Sequence, residues 1–382
     1  MIKEYYLQDG SKRYMFQLYI GVDPLTGKKR RTTRRNFKTK KEASIELARL
    51  KVQVEEQGLP TKKQRMKFQE VFDLWKVDYE QTVKESTYFY QTTSFKLHIL
   101  PKIGNIYIDA LTPQRCQKLI NEWCSYYKQY SNLIGLTKRV FNYAIVLGLI
   151  DENPMLRTIR PTRRKKIDEQ PYQSPFYDLE QLKTFLDCVK SNYDNQTYLM
   201  FHLLAYTGMR KGELLALRWY DFDELHSNIT INQTLTVGKD GKEIFQTPKT
   251  NASNRTIALD SITAKLLTAW RNEQREMLFK YGYNTMQEKQ LIFTNLQNQC
   301  FYSGYVNCIL SKILKAHELP YITVHGFRHT HCSLLFESGA TLKQVQDRLG
   351  HTDINTTMNI YNHVTKKQQD ETAELFAKFV KG

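Results

Sequence analysis

Seven side chains in the C-terminal half of this sequence have the types and spacing for work on a phosphodiester. They sit on four short segments. The first is Thr207-Gly208-Met209-Arg210-Lys211-Gly212-Glu213-Leu214-Leu215-Ala216-Leu217-Arg218-Trp219, and the second is Thr247-Pro248-Lys249-Thr250. The third, His325-Gly326-Phe327-Arg328-His329-Thr330, is a His-x-x-Arg motif; the fourth, Leu349-Gly350-His351-Thr352-Asp353, leads to Ile360-Tyr361-Asn362-His363. Cleaving a phosphodiester takes a nucleophile, cations against the non-bridging oxygens and a proton for the leaving oxygen. Tyr361 can be the nucleophile without a metal, provided a base or a cationic setting offsets a phenol pKa of about 10. Arg210 and Arg328 are permanently charged forks suited to clamping phosphate oxygens and the charge of a pentacovalent transition state. Lys249 can give a proton to the leaving 5′ oxygen. His325 and His351 can exchange protons or hydrogen-bond the phosphate near neutral pH. Glu213, one helical turn after Arg210, can orient a catalytic neighbour.

Plainer readings stand beside these. An arginine near a glutamate is usually a structural ion pair. Lys239, Lys242 and Lys249 all lie on or near one β insertion, and any of them could be solvated. With 24 tyrosines in the chain, Tyr361 is marked by context and not by rarity. His329, His331 and Cys332 invite a metal reading, but a zinc site needs a fourth ligand and no second cluster accompanies them. Neither a metal nor another cofactor is expected, and Cys332 reads as a small buried residue.

The chain that must position these groups has 382 residues, enough for two or three domains. A hydrophobic fraction of 41% excludes a wholly disordered chain. The 56 Lys+Arg against 39 Asp+Glu give a net charge of +17 and a pI near 9.4, which point to a polyanion, nucleic acid or an anionic membrane surface. No apolar run approaches the roughly 18 residues that cross a bilayer. The start, MIKEYYLQDG, lacks the apolar stretch of a signal peptide, so a cytoplasmic location is expected. Six cysteines without a CxxC pair read as reduced thiols.

The charge is uneven. Residues 1–67 hold 18 Lys+Arg and 7 Asp+Glu, densest at Lys28, Lys29, Arg30 and Arg31, followed by Arg34 and Arg35. Residues 2–8 and 13–21 read as strands around Asp9-Gly10-Ser11, and a third, basic strand is expected over about 28–37. Tyr14, Phe16, Leu18 and Ile20 alternate with Met15, Gln17 and Tyr19, the period of a half-buried strand. Ala43, Leu47, Leu50 and Val54 mark a helix that covers one sheet face, leaving the other to the basic residues, where a short sheet could lie in a DNA major groove. Residues 66–160 read as helical, with Phe68, Val71, Phe72, Trp75 and Tyr79 on one stripe. Their aromatics Tyr88, Phe89, Tyr90, Trp123, Tyr126 and Tyr127 are read as core. A second basic run, Arg163, Arg164, Lys165 and Lys166, lies among prolines and reads as a linker. Residues 172–382 read as mainly helical, with a β insertion at about 228–258.

In their order and spacing, the four segments resemble the tyrosine recombinases, the phage integrase family, across about 200 residues. The resemblance selects Lys249 among the insertion lysines. It implies that Tyr361 attacks the scissile phosphate, forms a 3′-phosphotyrosyl link and frees a 5′ hydroxyl. It also implies strand exchange through a Holliday junction in a homotetramer, without ATP or metal. Residues 66–160 resemble the SAM-like core-binding domain and residues 1–60 the arm-binding domain of phage and conjugative-element integrases. The expected protein is therefore multidomain α+β: a three-stranded sheet with a helix, a helical core-binding domain, and a mainly α catalytic domain over 172–382. Its expected partners are double-stranded DNA at core and arm sites, with an excisionase or a host DNA-bending protein as possible accessories. The expected job is integration and excision of a mobile element; a resolvase, invertase or type IB topoisomerase-like enzyme would use the same chemistry. A tail with Leu375, Phe376, Phe379 and Val380 in one stripe is, in this family, a helix that packs on a neighbouring protomer.

Overall fold

The computed structural model describes residues 2–22, 29–57, 65–162, 175–247 and 254–350, with Met358 and Val380. Lys28, Arg163, Arg164, Lys165, Lys166, Lys249, His351, Tyr361 and most of the C-terminal apolar stripe lie outside the described residues. The chain divides into two compact units, residues 1–75 with 97–161, and residues 76–96 with 162–382.

The first unit opens with the antiparallel sheet β1 (Ile2–Tyr6), β2 (Lys12–Val22) and β3 (Lys29–Phe37), in that order, followed by α1 (Lys40–Gln57). Period two does its work in β2: Phe16 and Ile20 are buried, with Ala43 of α1, while Gln17 and Tyr19 are exposed. Asn36, at φ +77°, lets β3 slip against β2 and returns Phe37 to the Phe16 side, where the rings stack 5.7 Å apart. The pairs Lys3↔Met15, Tyr5↔Arg13, Gln17↔Thr33 and Tyr19↔Arg31 share the face away from α1. Alternation adds Lys29 and Arg35 to that open face. Arg34 corrects the expectation of one basic face. It pairs with Phe16 on the helix side, and its place on an edge strand leaves it exposed.

The helical part of this unit contains the start of α2 (Phe68–Glu80), in which Phe68, Val71, Phe72 and Trp75 are buried as the stripe requires. α3 (Glu85–Ser94) belongs to the second unit and runs through a π turn at Phe95–Ile99 into α4 (Leu100–Ile103). α5 (Pro113–Tyr126) is capped by Thr112, whose hydroxyl accepts from Arg115 N, and α6 (Tyr130–Val146) sets Phe141 edge-on to Phe68 at 5.5 Å. The core reading of the aromatics holds for Trp123, which is 1% exposed. It fails for Tyr90, Tyr126 and Tyr127, which are 54%, 74% and 38% exposed, because they fall on the solvent side or at the end of their helices.

In the second unit, α7 (Leu179–Asn192) and α8 (Asn195–Thr207) precede α9 (Lys211–Ala216). The β insertion follows: β4 (Phe222–Asp223), β5 (Asn228–Ile231), β6 (Thr234–Val237), β7 (Glu243–Gln246) and β8 (Arg255–Ala258). β4, β5 and β8 form one sheet, while β6 and β7 form a hairpin around Gly238–Lys242. α10 (Ser261–Lys280), α11 (Tyr305–Ala316), α12 (Val324–Glu337) and α13 (Leu342–Leu349) complete the unit. α8 is buried on nearly every side and serves as the axis of the core. Phe185, Phe201 and Phe327 lock α7, α8 and α12 together, with ring centroids 5.0–5.7 Å apart. Each ring contributes roughly 1.5–3 kcal/mol by burial. Gly212, in α9, approaches β6 so closely that a Cβ would stand 2.6 Å from Leu235 O.

Candidate active site

The segment Thr207–Glu213 is a helix stop followed at once by a helix start. Gly208, at φ +63°, ends α8 in the left-handed conformation, and its N–H donates to Leu204 O. Arg210 is then the extended N-cap of α9, and its backbone N–H donates to Glu213 Oε2 at 2.9 Å. The same carboxylate accepts from the Arg210 guanidinium through Oε1 at 2.8 Å. One glutamate thus caps the helix and aims the arginine, as its place three residues on from Arg210 predicts. Glu213 is 3% exposed, while the Arg210 side chain is 40% exposed.

Burial alone would raise the Glu213 pKa, but Arg255 and then Arg210 outweigh it and hold the carboxyl below its ordinary value. Arg255, at the start of β8, donates to Glu213 Oε2 at 2.9 Å and, through Nε, to the Arg348 carbonyl at 2.9 Å. The Arg348 side chain in turn donates to His331 Nε2, to the Ala258 carbonyl and to the Tyr206 carbonyl, each at 3.1 Å. Arg328 is only 2% exposed. Its guanidinium donates to Gly208 O at 2.8 Å and to Leu349 O at 2.7 Å, so it joins the first arginine segment to the turn that precedes His351. Burial and the neighbouring charge of Arg210 depress its pKa to about 9, which leaves it cationic at neutral pH.

His325 stands in the first turn of α12, with its ring edge-on to His329 at 4.9 Å. Desolvation, and then the neighbouring His329, Arg328 and Arg210, pulls its pKa down to about 4. It is a neutral imidazole at pH 7. Arg210 and His325 line one cleft of about 840 Å³, with Lys211, Lys315, Tyr321 and Thr323.

Of the seven residues chosen from sequence for chemistry, the described structure therefore brings together Arg210, Glu213, His325 and Arg328. The two arginines are not equivalent: Arg210 reaches solvent, and Arg328 is locked beneath. Among the other insertion lysines, Lys239 pairs with Glu80 at 2.7 Å and Lys242 is exposed. His331 is occupied by Arg348, Cys332 is fully buried with its thiol pushed well above its ordinary pKa, and no group of three or more metal-ligating side chains occurs among the described residues. Arg255 and Arg348 escaped sequence reasoning. Their only signal is position, Arg255 six residues after Lys249 and Arg348 just before Leu349-Gly350-His351, and nothing in their type separates them from the other basic residues.

Comparison with known proteins identifies the family. Residues 175–368 match the phage integrase family, residues 67–124 its N-terminal SAM-like domain and residues 4–54 an arm DNA-binding domain. The chain belongs to the phage integrase family of tyrosine recombinases. It is 26% identical over 367 residues to the ICEBs1 integrase of Bacillus subtilis (strain 168), covering 95% of this chain and 96% of that one. Its fold is similar to that of the Tn1549 transposon integrase in complex with circular intermediate DNA (TM-score 0.64, 19% identity, covering 81% of this chain and 100% of that chain). It is also similar to the lambda integrase tetramer bound to a Holliday junction (TM-score 0.56, 16% identity, 94% of each chain). No described helix is long and apolar enough to cross a membrane.

Proposed function

We propose that this chain is a site-specific integrase of a mobile element that cuts and rejoins DNA through a 3′-phosphotyrosine at Tyr361. The observation that carries this reading is the cationic wall on which Glu213, Gly208 and Leu349 fix Arg210 and Arg328 beside His325. Arg210 meets the non-bridging oxygens directly. Arg328 adds a fixed positive charge from beneath, where the low dielectric strengthens it. His325 hydrogen-bonds the phosphate, His351 assists from the next turn, and Lys249 protonates the leaving 5′ oxygen. The 5′ hydroxyl of a partner duplex then attacks the phosphotyrosine, so the bond energy is conserved.

Residues 1–60 form the arm-binding domain, 66–160 the core-binding domain and 172–382 the catalytic domain. The family matches over 4–54, 67–124 and 175–368 support those assignments. On the sheet of the first, Lys3, Arg13, Lys29, Arg31 and Arg35 share a face with Tyr5 and Tyr19 and, among the described residues, with no carboxylate, a surface for DNA phosphates. Lys28, Arg30, Arg34 and the run Arg163–Lys166 add to the DNA contacts. The enzyme works as a homotetramer on core and arm sites in the cytoplasm; the likeness to the lambda integrase tetramer on a Holliday junction supports the assembly.

The test is a nicked suicide duplex carrying the attachment core, incubated with wild type and Tyr361→Phe in EDTA and run on a denaturing gel. A covalent band for wild type alone is expected. A band that persists in Tyr361→Phe, or none from wild type on DNA that it demonstrably binds, overturns the reading.

A further inference from the structure

We propose that Arg255 is a positioning residue that sets the aim of Arg210 through Glu213; the inference rests on the functional reading above. Arg255 is 6% exposed in its side chain and Glu213 is 3% exposed, so this is a buried ion pair with little water to take either partner's place. The carboxylate is divided between its partners. Oε1 takes the Arg210 guanidinium, while Oε2 takes the Arg210 backbone N–H and Arg255 Nη2. Arg255 therefore sets the rotation of the carboxylate, and the carboxylate sets the Arg210 fork.

Arg255 is itself braced. Its Nε donates to the Arg348 carbonyl, and β8 holds its backbone opposite Ile231 of β5. Arg348 in turn grips Ala258, also on β8. The fork is thus fixed from the strand that follows Lys249 and from the helix end that precedes His351. A lysine at 255 would keep the charge at Glu213 but, with one nitrogen, could not span both acceptors.

The experiment measures single-turnover cleavage of the suicide duplex at saturating protein. It compares wild type, Arg255→Met and Arg255→Lys on two substrates, one with the natural scissile phosphate and one with a methylphosphonate there. Methyl replaces a charged non-bridging oxygen, so correct aim of an arginine matters less on that substrate. Core-site DNA affinity and thermal melting are followed in parallel. On phosphate, Arg255→Met is expected to be about 100-fold slower than wild type, the loss that a misplacement of about 1 Å causes, with DNA affinity little changed. Arg255→Lys should fall between them. On the methylphosphonate the deficits of both variants should shrink at least about tenfold, as an interaction made mainly to the transition-state charge requires. Wild-type rates in Arg255→Met, or equal deficits on the two substrates, overturn the inference. If Arg255→Met does not fold, Arg255→Lys decides by the same two criteria. Absence of any covalent complex from wild type instead overturns the functional reading, and this inference with it.

Discussion

Gly208→Ala tests how tightly the arginine wall is built. Gly208 sits at φ +63°, where an alanine pays about 1–2 kcal/mol for the left-handed backbone. An added Cβ would stand 2.5 Å from Leu349 Cδ2 and 2.8 Å from His331 Cδ2. The leucine methyl can swing away, but the His331 ring is held by Arg348, so a further overpacking cost of about 1–3 kcal/mol applies. The sum, about 3 kcal/mol, should lower the melting temperature by roughly 6–12 °C in a unit of this size. Gly282→Ala is the control, since Gly282 has φ +79° and nothing within 4 Å of an added Cβ, so it carries the backbone cost alone, about 2–8 °C. Because Gly208 O and Leu349 O accept from Arg328, the same change should displace that guanidinium and slow suicide-substrate cleavage at least about tenfold. Calorimetry on wild type and the two variants, with cleavage rates measured below the melting range, decides it. Equal melting of Gly208→Ala and Gly282→Ala, or undiminished cleavage in Gly208→Ala, would refute the reasoning.

Two further outcomes are expected. Burial, with Arg348 beside it, lowers the His331 pKa to about 3, so the unfolded chain takes up a proton near 6.5 that the folded chain refuses. Stability is then full above pH 6.5 and falls as pH drops toward 4, by up to about 3 kcal/mol for this residue. His331→Gln should flatten that fall in urea titrations from pH 7 to 4, and parallel curves would contradict it. On the arm sheet, Arg31→Ala with Arg35→Ala should reduce the slope of log affinity against log salt for a duplex by roughly 2, read by fluorescence anisotropy. An unchanged slope would place these two arginines away from phosphate.

The arginine and His-x-x-Arg segments and the strands of the first unit were legible because they are written in short-range terms. A glutamate three residues on from an arginine is a local code, and so is the alternation of Phe16 to Ile20 against Gln17 and Tyr19. Charge alone pointed to a polyanion, since net charge depends on composition and not on folding. What only the tertiary structure decided was which polar groups lie inside and what they hold there. Arg255 reaches Glu213 across 42 residues and Arg348 across 93, and Arg328 reaches Gly208 across 120. No periodicity encodes such pairings, because burial makes them obligatory only once distant segments have packed and a charge must find a partner. Packing likewise decided that Tyr126 faces solvent and that Arg34 falls on the helix side of the sheet. The sequence names the types of residue that could do the chemistry, and packing assigns each one its neighbour, its exposure and its charge.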